Sequence, residues 1–205
     1  MTTTETTDSC NINSPQHADF KKVHSTGLDE HSIISSEISS ENLAKLKPIT
    51  LDNSLLSLSD VFAISSGASI TINENLKKKI ADSRQVVENV ILDSHPVYGV
   101  NTGFGYFANT SIAHQELDEL QLNLLKSHAS GYGDPLSIPE VRLAMVLRLN
   151  VLVKGYTGVR WELCQQILRL LDAEIYPVVP DHGSVGASGD LAPLAHLALP
   201  LTGHG

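Results

Sequence analysis

The residues most clearly suited to covalent chemistry are Ala187, Ser188 and Gly189, within the run Gly-Ser-Val-Gly-Ala-Ser-Gly-Asp at positions 183–190. If the fold compresses the backbone here, the amide nitrogen of Gly189 can attack the carbonyl carbon of Ala187. Glycine suits this role because no side chain hinders its nitrogen or the strained backbone. Loss of water from the ring, and then of the Ser188 hydroxyl, leaves a methylidene conjugated to an imidazolone. The segment is therefore a candidate for a self-made electrophile.

Two simpler interpretations of the same segment remain open. The three residue types are common, and a flexible turn before a helix, with Ser188 or Asp190 as the N-cap, would also explain them. A serine nucleophile elbow requires Gly-x-Ser-x-Gly, but Asp190 follows Ser188 where glycine is needed, and His182 precedes Ser184 where glycine is needed. The elbow pattern is therefore missed at both serines.

A second glycine-rich segment raises the question of nucleotide binding. Residues 103–108, Gly-Phe-Gly-Tyr-Phe-Ala, fit the relaxed pattern Gly-x-Gly-x-x-Ala. No long apolar strand precedes them, and no lysine follows a glycine as a phosphate loop would require. The match is weak evidence for a nucleotide site.

Three segments of the chain resemble the aromatic amino acid ammonia-lyases. Residues 183–196, Gly-Ser-Val-Gly-Ala-Ser-Gly-Asp-Leu-Ala-Pro-Leu-Ala-His, resemble the signature from which these enzymes build a 4-methylidene-imidazol-5-one (MIO) group. Residues 98–105, Tyr-Gly-Val-Asn-Thr-Gly-Phe-Gly, resemble their N-terminal active-site loop, and residues 122–129, Leu-Asn-Leu-Leu-Lys-Ser-His-Ala, resemble their substrate-selecting helix. The similarity begins near residue 46 and covers well under half of a typical family chain.

The resemblance implies a cofactor and a base. Ala187, Ser188 and Gly189 would form MIO autocatalytically, and no metal or diffusible cofactor would be required. Tyr98 matches the mobile-loop tyrosine that removes the β-proton of the substrate; on its own it would be interpreted as a half-buried loop tyrosine. A phenol with a pKa near 10 is a poor base at neutral pH, so a site that uses one must favour its anion.

The resemblance also implies which substrate is bound. Ser127 and His128 match the pair of positions that selects the substrate side chain, and this pair resembles the histidine-specific members, whereas phenylalanine enzymes carry an apolar pair. An imidazole can hydrogen-bond another imidazole and a leucine cannot. Taken alone, His128 continues an apolar helical stripe and would be interpreted as a core histidine. His196 is expected to be structural, and His182 replaces a residue that is more often arginine in the family.

The implied reaction converts L-histidine into trans-urocanate and ammonia, in a homotetramer with active sites between subunits. Another aromatic amino acid ammonia-lyase or an aminomutase of the same family remains an alternative. So does a catalytically silent fragment, because further substrate-binding residues of the family come after the position of Gly205. The 205-residue chain alone is therefore expected to have little or no lyase activity.

The elements that must position these residues are predominantly helical. Hydrophobic periodicity and capping signals predict helices over residues 59–64, 74–93, 114–129, 138–155 and 159–173, and a last apolar helix after Ser188. Strand signals are few and short, so the class is mainly α: the N-terminal part of a large helical-bundle lyase, truncated, over residues 46–205. Residues 1–45, which are rich in serine and threonine, are predicted to be a disordered extension.

Composition limits the partners. The chain has 23 acidic and 14 basic residues and a formal charge of −9, which argues against nucleic acid or an anionic membrane surface. The N-terminus lacks the pattern of a signal or transit peptide, and no segment has the length and apolarity of a membrane span. Cys10 and Cys164 form no metal-type cluster. A cytoplasmic protein is the default expectation.

Overall fold

The computed structural model describes residues 46–93, 95–184 and 189–204. The predicted extension over residues 1–45, and Ala187 and Ser188 of the proposed cofactor segment, lie outside the described residues. The helices are α1 (Leu58–Ser65), α2 (Leu76–Leu92), α3 (Leu117–His128), α4 (Ile138–Leu152), α5 (Trp161–Asp172) and α6 (Leu191–Ala198), with 3-10 turns at Gly105–Phe107, His114–Glu116 and Leu199–Thr202. The strands are β1 (Ile49–Leu51), β2 (Ile70–Ile72), β3 (Tyr132–Pro135) and β4 (Pro180–His182).

Capping boxes explain where two of the helices begin. The Ser57 hydroxyl accepts the backbone N–H of Asp60, and the Asp60 carboxylate accepts the Ser57 backbone N–H, at the start of α1. The same reciprocal arrangement joins Ser137 and Glu140 at the start of α4, with a nitrogen-to-oxygen distance of 2.8 Å. Each box satisfies N–H groups that a helix start otherwise leaves unpaired. The predicted start of α4 is thereby confirmed.

The other helix predictions are also confirmed, and with them the mainly α class. The long helix α2 buries Leu76 and Ile80, the first half of its predicted apolar stripe. The predicted helix over residues 114–129 consists of a 3-10 turn followed by α3. Helix α5 falls inside its predicted bounds. No helix in the described part of the chain is both long enough and apolar enough to cross a membrane.

Helix α4 lies at the centre of the hydrophobic core. It contacts α1 on one side and α5 on the other, and Val146 and Leu149 on it are fully enclosed. Cys164 on α5 is part of the same core, and burial raises the pKa of its thiol to about 11, so it is a neutral packing residue at physiological pH. One face of α4 is buried, while Leu147 and Val151 on it remain exposed.

A buried arginine joins α4 to the end of α1. The Arg142 guanidinium donates through Nε to the carbonyl oxygen of Ile64 at 2.9 Å, through Nη2 to that of Ala68 at 2.5 Å, and through Nη1 to the hydroxyl of Tyr176 at 3.0 Å. The Ile64 carbonyl belongs to the last turn of α1, where the helix dipole favours a positive charge. Arg142 therefore stabilises the end of α1 with charged donors, in addition to the backbone N–H of Gly67 that donates to the Ile64 carbonyl oxygen.

Two small sheets complete the fold. Strands β1 and β2 pair in parallel, with Leu51 opposite Ile72, and α1 forms the crossover between them. Strands β3 and β4 pair antiparallel, with Tyr132 opposite His182. The second sheet matters for the site because β3 follows α3 and β4 precedes the cofactor segment.

We expect Arg142→Met to destabilise the protein by about 3 kcal/mol, the typical cost of leaving buried partners of a charged group unpaired. Equilibrium unfolding in urea measures the change. Arg169→Met is the matched control, because Arg169 is exposed on α5 and its loss should change stability by less than about 0.5 kcal/mol. Equal effects of the two substitutions would contradict the assigned role.

Candidate active site

The last turn of α3 carries the pair Ser127 and His128. The His128 Nδ1 atom lies 2.8 Å from the carbonyl oxygen of Leu124, and the Ser127 hydroxyl donates to the same oxygen at 2.9 Å. Because a carbonyl only accepts, Nδ1 of His128 carries a proton. In the neutral ring, Nε2 is then left as a hydrogen-bond acceptor.

The two flanks of the cofactor segment lie close together. The Ser184 hydroxyl donates to the Asp190 carboxylate, Oδ1, at 2.5 Å, across six positions of the chain. Asp190 occupies the N-cap position of α6, but its side chain makes no capping hydrogen bond to the helix. Gly189 has φ of +84°, a conformation that favours glycine, and its surroundings are open. The hydrogen bond brings Ser184 and Asp190, which lie on either side of the cofactor segment, close together.

A small cavity of about 220 Å³ lies between the end of α3 and the residues Gly183 and Gly189. Helix α3 contacts α6, so residues on either side of the cofactor segment come next to the selecting pair. The lining residues are Ser127, His128, Ser130, Gly183, Gly189, Leu191 and Ala192. The structure therefore places the described member of the Ala-Ser-Gly triad beside both residues of the predicted selecting pair.

Tyr98 lies in a loop that is fixed by a buried amide. Its side chain is 62% exposed, and its ring meets Phe104 edge to face at 5.7 Å. Asn101, which is buried, accepts the backbone N–H of Val97 at 2.7 Å and donates to the carbonyl oxygen of His95 at 2.9 Å. The Asn101 side chain thus fixes the backbone before Tyr98, while the phenol of Tyr98 remains exposed.

A larger cavity of about 690 Å³ brings Tyr98 and His128 together. Most of its wall is apolar and comes from α3, α4, α5 and α6, and Arg148 on α4 adds a positive charge. His128 and Leu191 line both this apolar cavity and the small cavity. The arrangement offers a phenol, an imidazole and an apolar enclosure, which suits an amino acid with a flat ring.

The structure thus brings Tyr98 together with His128 in the larger cavity, and His128 together with Ser127 and Gly189 in the small one. Sequence reasoning gave no role to Asn101 or Arg148: Asn101 belongs to the segment that resembles the family's active-site loop, but its backbone partners leave no signal in the sequence, and Arg148 lies on an apolar helix outside any motif. Two other histidines were singled out in the sequence. His182 stacks on Tyr132 with ring centroids 5.2 Å apart and hydrogen-bonds the Asp181 carboxylate, while His196 accepts the backbone N–H of Gly131 at 3.1 Å. No group of three or more potential metal-binding side chains occurs in the parts of the chain that the structure covers.

Comparison with known proteins shows which family the chain belongs to. The sequence model of the aromatic amino acid lyases matches residues 56–205. The chain belongs to the aromatic amino acid lyase family. Histidine ammonia-lyase of Streptococcus sanguinis (strain SK36) is 46% identical over 158 residues, which are 77% of this chain and 31% of that protein. The resemblance inferred from the three sequence segments is confirmed.

Solved structures of the family share the fold. Histidine ammonia-lyase from Trypanosoma cruzi matches with a TM-score of 0.69 and 38% identity, over 78% of this chain and 30% of that one. Tyrosine aminomutase from Streptomyces globisporus matches with a TM-score of 0.71 and 32% identity, over the same shares. This lyase-family chain therefore spans about a third of the length of the relatives it matches.

We expect Asn101→Asp to loosen the Tyr98 loop. The substitution keeps the size of the side chain but removes the amide donor and places a carboxylate against the carbonyl oxygens of Val90 and His95. Loss of these contacts costs about 1–3 kcal/mol, so amide hydrogen exchange across residues 95–101 should accelerate about fivefold or more. Asn89→Asp, at an exposed position of α2, is the control. Unchanged exchange in Asn101→Asp would rule out the anchoring role.

Proposed function

We propose that the protein is an ammonia-lyase that converts L-histidine into trans-urocanate and ammonia, using an MIO group formed from Ala187, Ser188 and Gly189. The observation that carries the proposal is the position of His128, which lines one cavity with Gly189 and the other with Tyr98. The named relatives support it, since histidine ammonia-lyases are among the proteins most similar in sequence.

The described flanks of the triad fit the formation of MIO. Ring closure requires the Gly189 nitrogen to approach the Ala187 carbonyl carbon, and a residue without a side chain in a left-handed backbone conformation leaves that nitrogen accessible. The hydrogen bond between Ser184 and Asp190 shortens the loop that must close. Two water molecules leave, one from the ring and one with the Ser188 hydroxyl. When formed, MIO supplies the electrophile that makes the substrate amino group a better leaving group.

His128 selects the substrate ring. Its Nδ1–H is engaged by the Leu124 carbonyl, so Nε2 can accept the N–H of a substrate imidazole. The apolar wall of the larger cavity excludes water from the ring faces, which strengthens that hydrogen bond. A phenyl ring offers no N–H and would leave Nε2 unpaired. The resulting loss of binding free energy disfavours phenylalanine relative to histidine.

Tyr98 removes the proton. Its oxygen, as the phenolate, takes a proton from the β-carbon of the substrate. The electron pair of the broken C–H bond forms the double bond of trans-urocanate as the bond from the α-carbon to nitrogen breaks. The proton and the amino group together leave as ammonia, so the reaction balances without an oxidant or a second substrate. The Asn101 anchor keeps the tyrosine loop at the mouth of the cavity that also contains His128.

Other features of the proposal concern the whole protein. We propose that residues 46–205 are the N-terminal portion of the lyase domain, that residues 1–45 are an extension to it, and that the protein assembles as a homotetramer; a cytoplasmic location stays a prediction.

Aminomutase activity is the second candidate function, because tyrosine aminomutase shares the fold at 32% identity. Incubation with histidine, phenylalanine and tyrosine, followed by identification of the products, separates a β-amino acid from an unsaturated acid.

We expect the peptide containing residues 187–189 of the full-length protein, expressed from its gene, to be lighter than its sequence mass by two water molecules. Ser188→Ala removes the hydroxyl that supplies the second of them, so turnover of histidine should fall more than about a thousandfold, as when a covalent catalytic group is lost. Mass spectrometry and a urocanate assay measure both effects, and Ser54→Ala, at an exposed position, is the control. Wild-type turnover by Ser188→Ala would exclude the MIO mechanism.

We expect His128→Leu to lower the ratio of kcat/KM for histidine to kcat/KM for phenylalanine by about ten- to a hundredfold, the value of one buried hydrogen bond to a polar substrate. Steady-state kinetics with the two substrates measure the ratio. His114→Leu is the matched control because His114 is exposed at the start of a 3-10 turn. A constant ratio in His128→Leu would make His128 a packing residue only.

A further inference from the structure

Three segments of the candidate site meet at Gly131. This glycine follows α3 and its selecting pair; Gly183 leads from β4 into the cofactor loop; and His196 lies on α6, which follows that loop. A Cβ atom built on Gly183 would lie 2.8 Å from the Cα atom of Gly131. A real Cβ atom does not approach backbone that closely, so the two segments cross where neither has a side chain to separate them.

The space around Gly131 is also filled from its other sides. A Cβ atom there would lie 3.1 Å from each of three atoms: the carbonyl oxygen of His182, Nε2 of His196 and Cβ of Pro180. A methyl group could enter only if β4 or the His196 ring moved by a few tenths of an ångström. The distance between the turn after α3 and the chain leading into the loop is therefore set by direct contact.

His196 adds a directional bond to this contact. The backbone N–H of Gly131 donates to Nε2 of His196 at 3.1 Å, across 65 positions of the chain. A backbone N–H only donates, so Nε2 accepts and the proton of the neutral ring is on Nδ1. The bond thus joins the helix after the cofactor loop to the turn after the selecting pair, three residues beyond His128.

We propose that His196 is a positioning residue: through Gly131 it holds the Ser127-His128 pair at a fixed distance from Gly183 and Gly189, the described residues at the two ends of the proposed cofactor segment. The inference rests on the proposed function. Substrate bound by the selecting pair must present its amino group to the loop, and a misplacement of about 1 Å in such an arrangement costs on the order of a hundredfold in rate. The hydrogen bond of His196 is to the backbone N–H of Gly131, so it acts through the turn and α6.

Two substitutions of similar polarity separate this role from packing. In His196→Gln, the side-chain oxygen reaches about as far as Nε2 and can accept the Gly131 N–H; in His196→Asn, the amide is too short to reach it. We expect His196→Gln to keep kcat for histidine within about threefold of wild type, and His196→Asn to lower kcat about tenfold or more with KM changed less than about threefold. The two-water mass deficit across residues 187–189 is measured in each variant.

Hydrogen exchange at the Gly131 amide provides a readout that does not depend on activity. Exchange should be at least about tenfold faster in His196→Asn than in wild type or His196→Gln, because only the Asn variant loses the acceptor. His114→Asn, at an exposed position, is the control and should leave both exchange and kinetics unchanged. If His196→Asn does not fold, Gly131→Ala replaces it, because its methyl group displaces the same contact and should also lower kcat more than it changes KM.

The outcomes distinguish this inference from the proposed function. Normal kcat and normal exchange in His196→Asn, with wild-type enzyme active, would overturn the positioning role alone. Equal losses in His196→Gln and His196→Asn would overturn it too, because the acceptor would not be what matters. A wild-type protein with no mass deficit and no urocanate would refute the proposed function, and the exchange rates would then decide whether His196 holds the turn.

Discussion

Where the turn after α3 crosses the end of β4, the backbones of Gly131 and Gly183 lie in contact, and much of the candidate site depends on that crossing. It brings the last turn of one helix against the start of a loop more than 50 residues later in the chain. The small cavity beside Gly189 is formed by the residues on either side of it. Larger side chains at the crossing would push α3 and α6 apart and separate the two halves of the site.

The helices could be predicted from sequence because their determinants are local. The Ser137 and Glu140 pair marks the start of α4 within four residues, and the stripe that begins with Leu76 and Ile80 fixes the orientation of α2. The strands could not be predicted, since each has only three or four residues and pairs with a partner that the chain reaches through other elements. In β4, a proline, an aspartate and a histidine carry no strand pattern at all, and only pairing with β3 makes the segment extended.

The candidate site shows the same division. Residues 98, 127, 128 and 189 could be predicted because the segments that contain them resemble a family, and the resemblance supplied the chemistry that composition alone could not. The partners of Asn101 and His196 could not be predicted, although His196 was expected to be structural, because these partners are backbone groups. Every residue type except proline carries the same backbone N–H and carbonyl groups, so the sequence does not indicate which of them a buried amide or imidazole will bind. These hydrogen bonds can be identified only in the folded structure.

Both histidines of the site use one ring nitrogen on the protein backbone, with opposite consequences. In His128 the Nδ1–H group donates a hydrogen bond to the Leu124 carbonyl oxygen, which leaves Nε2 as a hydrogen-bond acceptor. In His196 the Gly131 amide occupies Nε2, so its acceptor is already used and the ring is fixed in place. Under the roles proposed for them, His128 would bind the substrate and His196 would fix the geometry of the site, and the difference follows from whether the backbone partner of the ring is a carbonyl or an N–H.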